Sequence, residues 1–140
     1  MQPSKLNPYL SFKDNAKEAM EFYKSVFGGE LTTSTFKEFH ASTDPSEDNL
    51  TMHAALTADN GIMLMASDTP ARMPYNPGNN VSLSLSGDNE VELSGYFEKL
   101  SEGGKITMPF EKAIWGDKFG MLTDKFGINW MVNVTLPKES

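Results

Sequence analysis

The side chains able to do chemistry are few in this sequence, and most of them sit at alternating, strand-like spacing. His53 lies in the run 50–57. An imidazole there suits a general base, since its pKa lies near physiological pH. It equally suits a hydrogen-bonded histidine inside a sheet, because no carboxylate stands at an obvious spacing from it. His40 opens a polar loop and reads as solvated, and Glu30, Glu38 and Glu47 read as surface charge. Trp115, Asp117 and Phe119 fall together. The two rings suit stacking on a planar ligand or packing beside a turn, while Asp117 suits a substrate contact or, more simply, a hairpin cap. Met63, Met65, Met121 and Met131 make either a soft, adaptable pocket wall or core filler. No nucleophile has a base at fixed spacing, and no pair of carboxylates is arranged for acid–base work. These residues outline a site without naming a reaction.

The elements that must position them begin with the stretch 115–134, which reads as two strands joined by a turn at Asp124-Lys125-Phe126-Gly127. Aspartate suits the first turn position because its side chain accepts from backbone N–H groups further on, and glycine suits the last. Phe119, Met121 and Thr123 share one face of the first strand. Ile128, Trp130, Val132 and Val134 share one face of the second, with Asn129, Met131 and Asn133 opposite. Such alternation describes a strand with one face on a core and the other toward something wetter.

Upstream, residues 6–12 read as a strand, with Pro8 arguing for an edge or a strand start. A helix follows: Asn15 is placed to cap it with Glu18 three residues later, Ala16, Ala19, Met20, Tyr23 and Phe27 recur at helical spacing, and Gly28-Gly29 closes it. Residues 30–39 lean to strand and 40–49 to loop. Residues 50–57 and 61–67 make a hairpin around Asp59-Asn60-Gly61, and 68–80, rich in proline, reads as a linker or flap. Then the pattern restarts. Val81, Leu83 and Leu85 alternate with serines, Asn89 repeats the cap with Glu92, and Leu93, Tyr96, Phe97 and Leu100 form a stripe. Gly103-Gly104 closes this helix as Gly28-Gly29 closed the first, and 105–108 make a short strand before the hairpin. Each half is therefore strand, helix, strand, strand, strand, an internal repeat.

The fold class expected is α+β: two βαβββ modules, about residues 1–70 and 78–140 of a single domain, forming a cupped mixed β-sheet. The helix-side faces take Leu6, Leu10, Phe12, Met52, Ala54, Leu56, Ile62, Leu64, Val81, Leu83, Leu85, Leu122, Trp130 and Val132. The cup then receives Tyr9, Ser11, His53, Met63, Met65, Ser82, Ser84, Phe119, Met121, Met131 and Asn133. An apolar lining with a few polar groups is the makeup of a ligand site. The alternative is a filled interface between sheets, which Ser82 and Ser84 fit poorly.

Composition narrows the function. At 140 residues the chain suits one domain with a real core. Its 12 basic and 19 acidic residues give a net charge of -7, and no Lys/Arg cluster supports a nucleic-acid or membrane partner. With 0 cysteines, disulfides, thiolate nucleophiles and cysteine-ligated metals are excluded. No leader-like apolar segment opens the chain and no run approaches a membrane span, so a cytoplasmic location is expected.

The chain resembles the vicinal oxygen chelate superfamily, which includes glyoxalase I, extradiol dioxygenases and the fosfomycin and bleomycin resistance proteins, and most closely its PhnB-like branch. The resemblance rests on Tyr9-Leu10-Ser11-Phe12, on the segment 16–29 with Leu31, and on Met52-His53-Ala54 with Leu56. It also rests on Leu64-Met65-Ala66-Ser67-Asp68 and above all on the stretch 115–133. It spans nearly the whole chain. Members of the branch are often labelled 3-demethylubiquinone 3-methyltransferase-like, but no glycine-rich loop between a strand and a helix is present to hold a methyl-donor nucleotide. The superfamily's enzymes hold a divalent metal through His and Glu, one from each of four strands. The matching positions here are Asn7 or Pro8, Met63 or Met65, a place within 80–82, and Met131. None is a histidine or carboxylate, and the second turn position is Lys125 where the superfamily commonly has proline. This departure from the superfamily's ligand pattern leads to the expectation of no metal and no other cofactor, a divalent metal being the alternative, and a homodimer is expected, with modules exchanged between chains as one arrangement. The function expected is binding of a small apolar or amphipathic molecule. The alternative is an enzyme of the lyase, dioxygenase or isomerase type, using a metal or His53 as base.

Overall fold

The computed structural model describes residues 3–137 and divides into two compact units, one running to Pro77 and the other starting at Gly78. The first holds β1 (Tyr9–Phe12), α1 (Ala16–Phe27), β2 (Glu30–Thr35), β3 (Thr51–Thr57) and β4 (Met63–Asp68), with a short 3-10 turn at Pro45–Glu47. The second holds β5 (Leu83–Gly87), α2 (Glu90–Ser101), β6 (Lys105–Lys112), β7 (Lys118–Thr123) and β8 (Asn129–Val134). Each unit is one four-stranded mixed sheet, ordered β1-β4-β3-β2 and β5-β8-β7-β6. In each, the first strand pairs parallel with the last, and the other neighbours pair antiparallel. The βαβββ repeat expected from the sequence is the observed architecture, and the fold class is α+β.

Each helix lies on one face of its own sheet because its apolar stripe has nowhere else to go. α1 buries Ala16, Ala19, Met20, Tyr23, Val26 and Phe27 over Leu10, Phe12, Ala54, Leu56, Leu64 and Ala66. α2 buries Leu93, Phe97 and Leu100 against β5, β7 and β8, where Leu122, Trp130, Val132 and Val134 are also buried. Phe97 stacks on Phe110 at 4.7 Å between ring centroids, and Gly120 sits where a Cβ would run into both rings' neighbourhood.

The structure corrects several local expectations. β1 begins at Tyr9, not residue 6, and Leu6 is fully exposed instead of on the core face. Pro8 has no N–H to give to a ladder, and its carbonyl, accepting from Met65 N–H at 3.1 Å, makes the first bond to β4. Val81 is likewise 69% exposed, because β5 begins only at Leu83. Asn15 makes no side-chain cap bond. The cap comes from Asp68, at the far end of β4, whose Oδ1 accepts from the Ala16 N–H at 2.9 Å and whose Oδ2 accepts from Thr51 N–H at 2.9 Å. Asn89 does cap α2, its Oδ1 accepting from Glu92 N–H at 3.1 Å. The strand-leaning run 30–39 stops at Thr35, where the register shifts and Phe36 turns inward. β6 is twice as long as expected and runs to Lys112 through two irregularities. Glu47 is not surface charge: it is buried, and its Oε2 accepts from Ala71 N–H at 2.7 Å, tying down the start of the segment after β4.

Candidate functional site

The helix-free face of each sheet collects the residues with chemical options. Side chains of directly paired residues project to the same face. In the first unit Tyr9 pairs with Met65, Met65 with Ala55, and Ala55 with Thr32. Met63 pairs with Thr57, Ser11 with Ser67, and His53 with Ser34. Tyr9, Ser11, His53, Met63 and Met65 are thus brought to one face, opposite the buried α1 side. Tyr9 is 48% exposed, and its phenol lies 3.4 Å from His53 Nδ1 with ring centroids 5.9 Å apart. That distance is long for a hydrogen bond and leaves the imidazole loosely held. No carboxylate bonds to His53 among the described residues. The imidazole is open to the face, with a phenol and not an acid as its neighbour.

In the second unit Ser84 pairs with Met131 and Met131 with Met121, while Ser86 pairs with Asn133 and Asn133 with Phe119. This places Ser84, Phe119, Met121, Met131 and Asn133 on the face away from α2. Ser82 precedes β5 and lies outside the ladder. Trp115 stands in the β6–β7 turn, 58% exposed, and meets Phe119 edge-on at 5.4 Å between centroids. Asp117 closes that turn, its carbonyl accepting from Ala113 N–H at 2.7 Å. Its carboxylate accepts from Asn133 Nδ2 at 3.0 Å. The aspartate therefore does what a hairpin cap does, and it also orients the amide of Asn133 on the helix-free face. Together these groups offer two aromatic rings, two thioethers, an amide and a carboxylate on one rigid surface. Such a surface contacts an apolar body while fixing a polar end.

Sequence reasoning missed Ser67 and Met108 on these faces, and it put Ser86 and Asn129 on the right strand face without counting them among the lining residues. The signal was present for Ser67 and Ser86, since each extends the period-2 pattern one step further along its strand. It was hidden for Met108, because irregularities in β6 break that period. The buried carboxylates have structural partners. Asp68 holds α1 and β3, Asp124 holds its turn, and Glu47 holds Ala71. Asp44 is held below the usual carboxylate range by the backbone N–H and then the hydroxyl of Ser46, and it belongs to the loop before the 3-10 turn, not to either face. Among the described residues no helix is long and apolar enough to cross a membrane.

With this geometry in hand, comparison with known proteins places the chain. A family model described as 3-demethylubiquinone-9 3-methyltransferase matches residues 4–133. A solved structure, protein PA1353 from Pseudomonas aeruginosa, is similar at 36% identity with a TM-score of 0.80, covering 96% of this chain and 100% of that one. A putative 3-demethylubiquinone-9 3-methyltransferase, PhnB protein, from Bacillus cereus is similar at 30% identity with a TM-score of 0.76, covering 94% and 100%. The fosfomycin resistance protein FosX from Listeria monocytogenes, solved with Mn(II), shares the fold alone, at 12% identity with a TM-score of 0.61 over 96% and 94% of the two chains. The chain belongs to the 3-demethylubiquinone-9 3-methyltransferase-like, PhnB-like family and has the vicinal oxygen chelate fold. At the positions where the resemblance puts the superfamily's metal ligands, a divalent metal finds no suitable donors in this sequence. Met63, Met65 and Met131 offer thioethers, Asn7 an amide and Pro8 nothing, where a hard or borderline cation requires imidazole or carboxylate. Among the described residues no three His, Cys, Asp or Glu side chains gather. These residues do not fit the group.

Proposed function

We propose that this PhnB-like chain is a small-molecule binding protein whose ligand, apolar or amphipathic, rests on the helix-free sheet faces. The observation that carries the reading is the lining itself. Tyr9, Met63 and Met65 in one unit, and Trp115, Phe119, Met121 and Met131 in the other, leave their apolar side chains partly exposed. Each set is accompanied by polar groups, His53 loosely held beside Tyr9 and Asn133 oriented by Asp117. Apolar area left open on a rigid sheet is stabilised by covering it, at about 25 cal/mol per Å² removed from water. The family's description names a methyltransferase. The turn leading into α1, Lys13-Asp14-Asn15, contains no glycine, and the one leading into α2 has only Gly87, at the end of β5, so neither is glycine-rich. A strand-to-helix loop that holds a methyl-donor nucleoside brings its backbone close to the ligand, and glycine is what permits that approach. Binding is therefore favoured over methyl transfer.

A second reading takes His53 as a general base, supported by its place on the face with the Tyr9 phenol at 3.4 Å. The two readings separate on one probe and one variant. Aminoanthracene, a neutral amphipathic aromatic, should bind saturably, with a rise in its fluorescence, and more weakly to Phe119→Ala and Met65→Ser. His53→Ala should change that affinity only modestly. Unsaturable binding, or affinity indifferent to both face variants, would overturn the proposal. For any turnover found on a candidate substrate, loss of roughly 10²–10⁴-fold in rate in His53→Ala would put the enzyme reading ahead.

A further inference from the structure

Three methionines stand side by side on the helix-free face of the second sheet. Met108 of β6 pairs with Met121 of β7, and Met121 pairs with Met131 of β8, so the row crosses three adjacent strands. Its outermost member is set by the backbone. β6 shifts register between Ile106 and Met108 and again between Met108 and Glu111, and irregularities of this kind re-aim a side chain. Met108 is 44% exposed, with Met121 and Met131 half-buried, so the row is open to solvent.

Directly paired residues have Cβ atoms about 5 Å apart, and methionine has three rotatable bonds with which to close such a gap. Metal–sulfur bonds of roughly 2.3 Å require sulfurs about 4 Å from one another, within reach if the outer two lean over the middle one. Thioethers are neutral, polarizable donors. They are poor ligands for hard divalent ions and good ones for Cu(I) and its kind. The chain contains 0 cysteines, so no thiolate of its own competes for a soft ion, and its net charge of -7 attracts cations.

We infer that Met108, Met121 and Met131 form a thioether site for a soft monovalent cation of the Cu(I) or Ag(I) class. The site shares Met121 and Met131 with the proposed ligand face, but its test requires no organic ligand to bind there. Ag(I) is the probe of choice, being inert to redox cycling, titrated calorimetrically into the full chain in chloride-free buffer with stoichiometry read by native mass spectrometry. The expected result is about one Ag(I) per chain. Met121→Leu, close to volume-conserving, should abolish that binding. Met73→Leu, in the segment between the two sheets, should leave it unchanged. Absence of stoichiometric binding, or binding that survives the triple substitution M108L/M121L/M131L, would overturn the site. A methyl NMR titration of the unsubstituted chain provides a test free of folding defects. Ag(I) should shift the methyl resonances of Met108, Met121 and Met131 first, and early shifts confined to other methionines would overturn it.

Discussion

Asp124 shows how one side chain can organise a turn, a strand and a core at once. Its Oδ1 accepts from Phe126 N–H at 2.8 Å and Ile128 N–H at 3.1 Å, while its Oδ2 accepts from the indole Nε1 of Trp130 at 2.8 Å. At 3% exposure the carboxylate is shielded from water, and Trp130 beside it is 1% exposed. Asp124→Ala strands the buried indole N–H of Trp130 together with two part-buried backbone donors, and a buried donor without a partner costs its full desolvation. The expected loss is about 3 kcal/mol of stability, read as a lowered denaturant midpoint with unchanged slope. A loss no larger than that of an exposed turn residue would contradict this role. The sequence revealed only half of it. Aspartate at the first position of a turn is a local signal, so the turn was legible, whereas the indole partner is a tertiary contact. Asp68 illustrates the same boundary more sharply. Read from its neighbours it opens a loop, yet it caps a helix some fifty residues earlier in the chain, at |i−j| of 52 from Ala16.

The paired glycines belong to the scale of elements. Gly28 and Gly103 have φ of 74° and 73°, positive values that glycine adopts without strain where each helix ends. Their followers do different work. A Cβ on Gly29 would collide with the carbonyl of Thr57, and one on Gly104 with the carbonyl of Thr123. In both units the chain leaving the helix thus passes against the end of a strand, β3 or β7. Gly104→Ala should destabilise the chain by about 1–3 kcal/mol through overpacking, measured by thermal or urea unfolding, with Gly95→Ala, where added space is open, as a control. Equal stability of the two variants would contradict the close approach. The repeat was legible because glycine pairs, caps and period-2 runs are local. Strand starts at residue 6 and near Val81 were misread because alternation of side chains continues past the point where backbone pairing begins. The length of β6 was missed because its register shifts erase the period itself.

At the scale of the molecule, the two units carry one plan twice. Each buries one sheet face under its own helix and leaves the other lined with side chains that are neither fully apolar nor freely solvated. Which residues share a face was readable in advance, since it follows from parity along a strand. The ligand was not readable, because recognition depends on contacts that no period encodes. Methionine methyl NMR tests the central claim most directly. Met63, Met65, Met121 and Met131 lie on helix-free faces, Met20 is buried on the sheet side of α1, and Met73 is exposed in the segment joining β4 to β5. Adding aminoanthracene should shift methyl resonances from the first group and leave those of Met20 and Met73 in place. Shifts confined to Met20 and Met73, or no shift at saturating probe, would contradict the assignment of these faces to ligand binding.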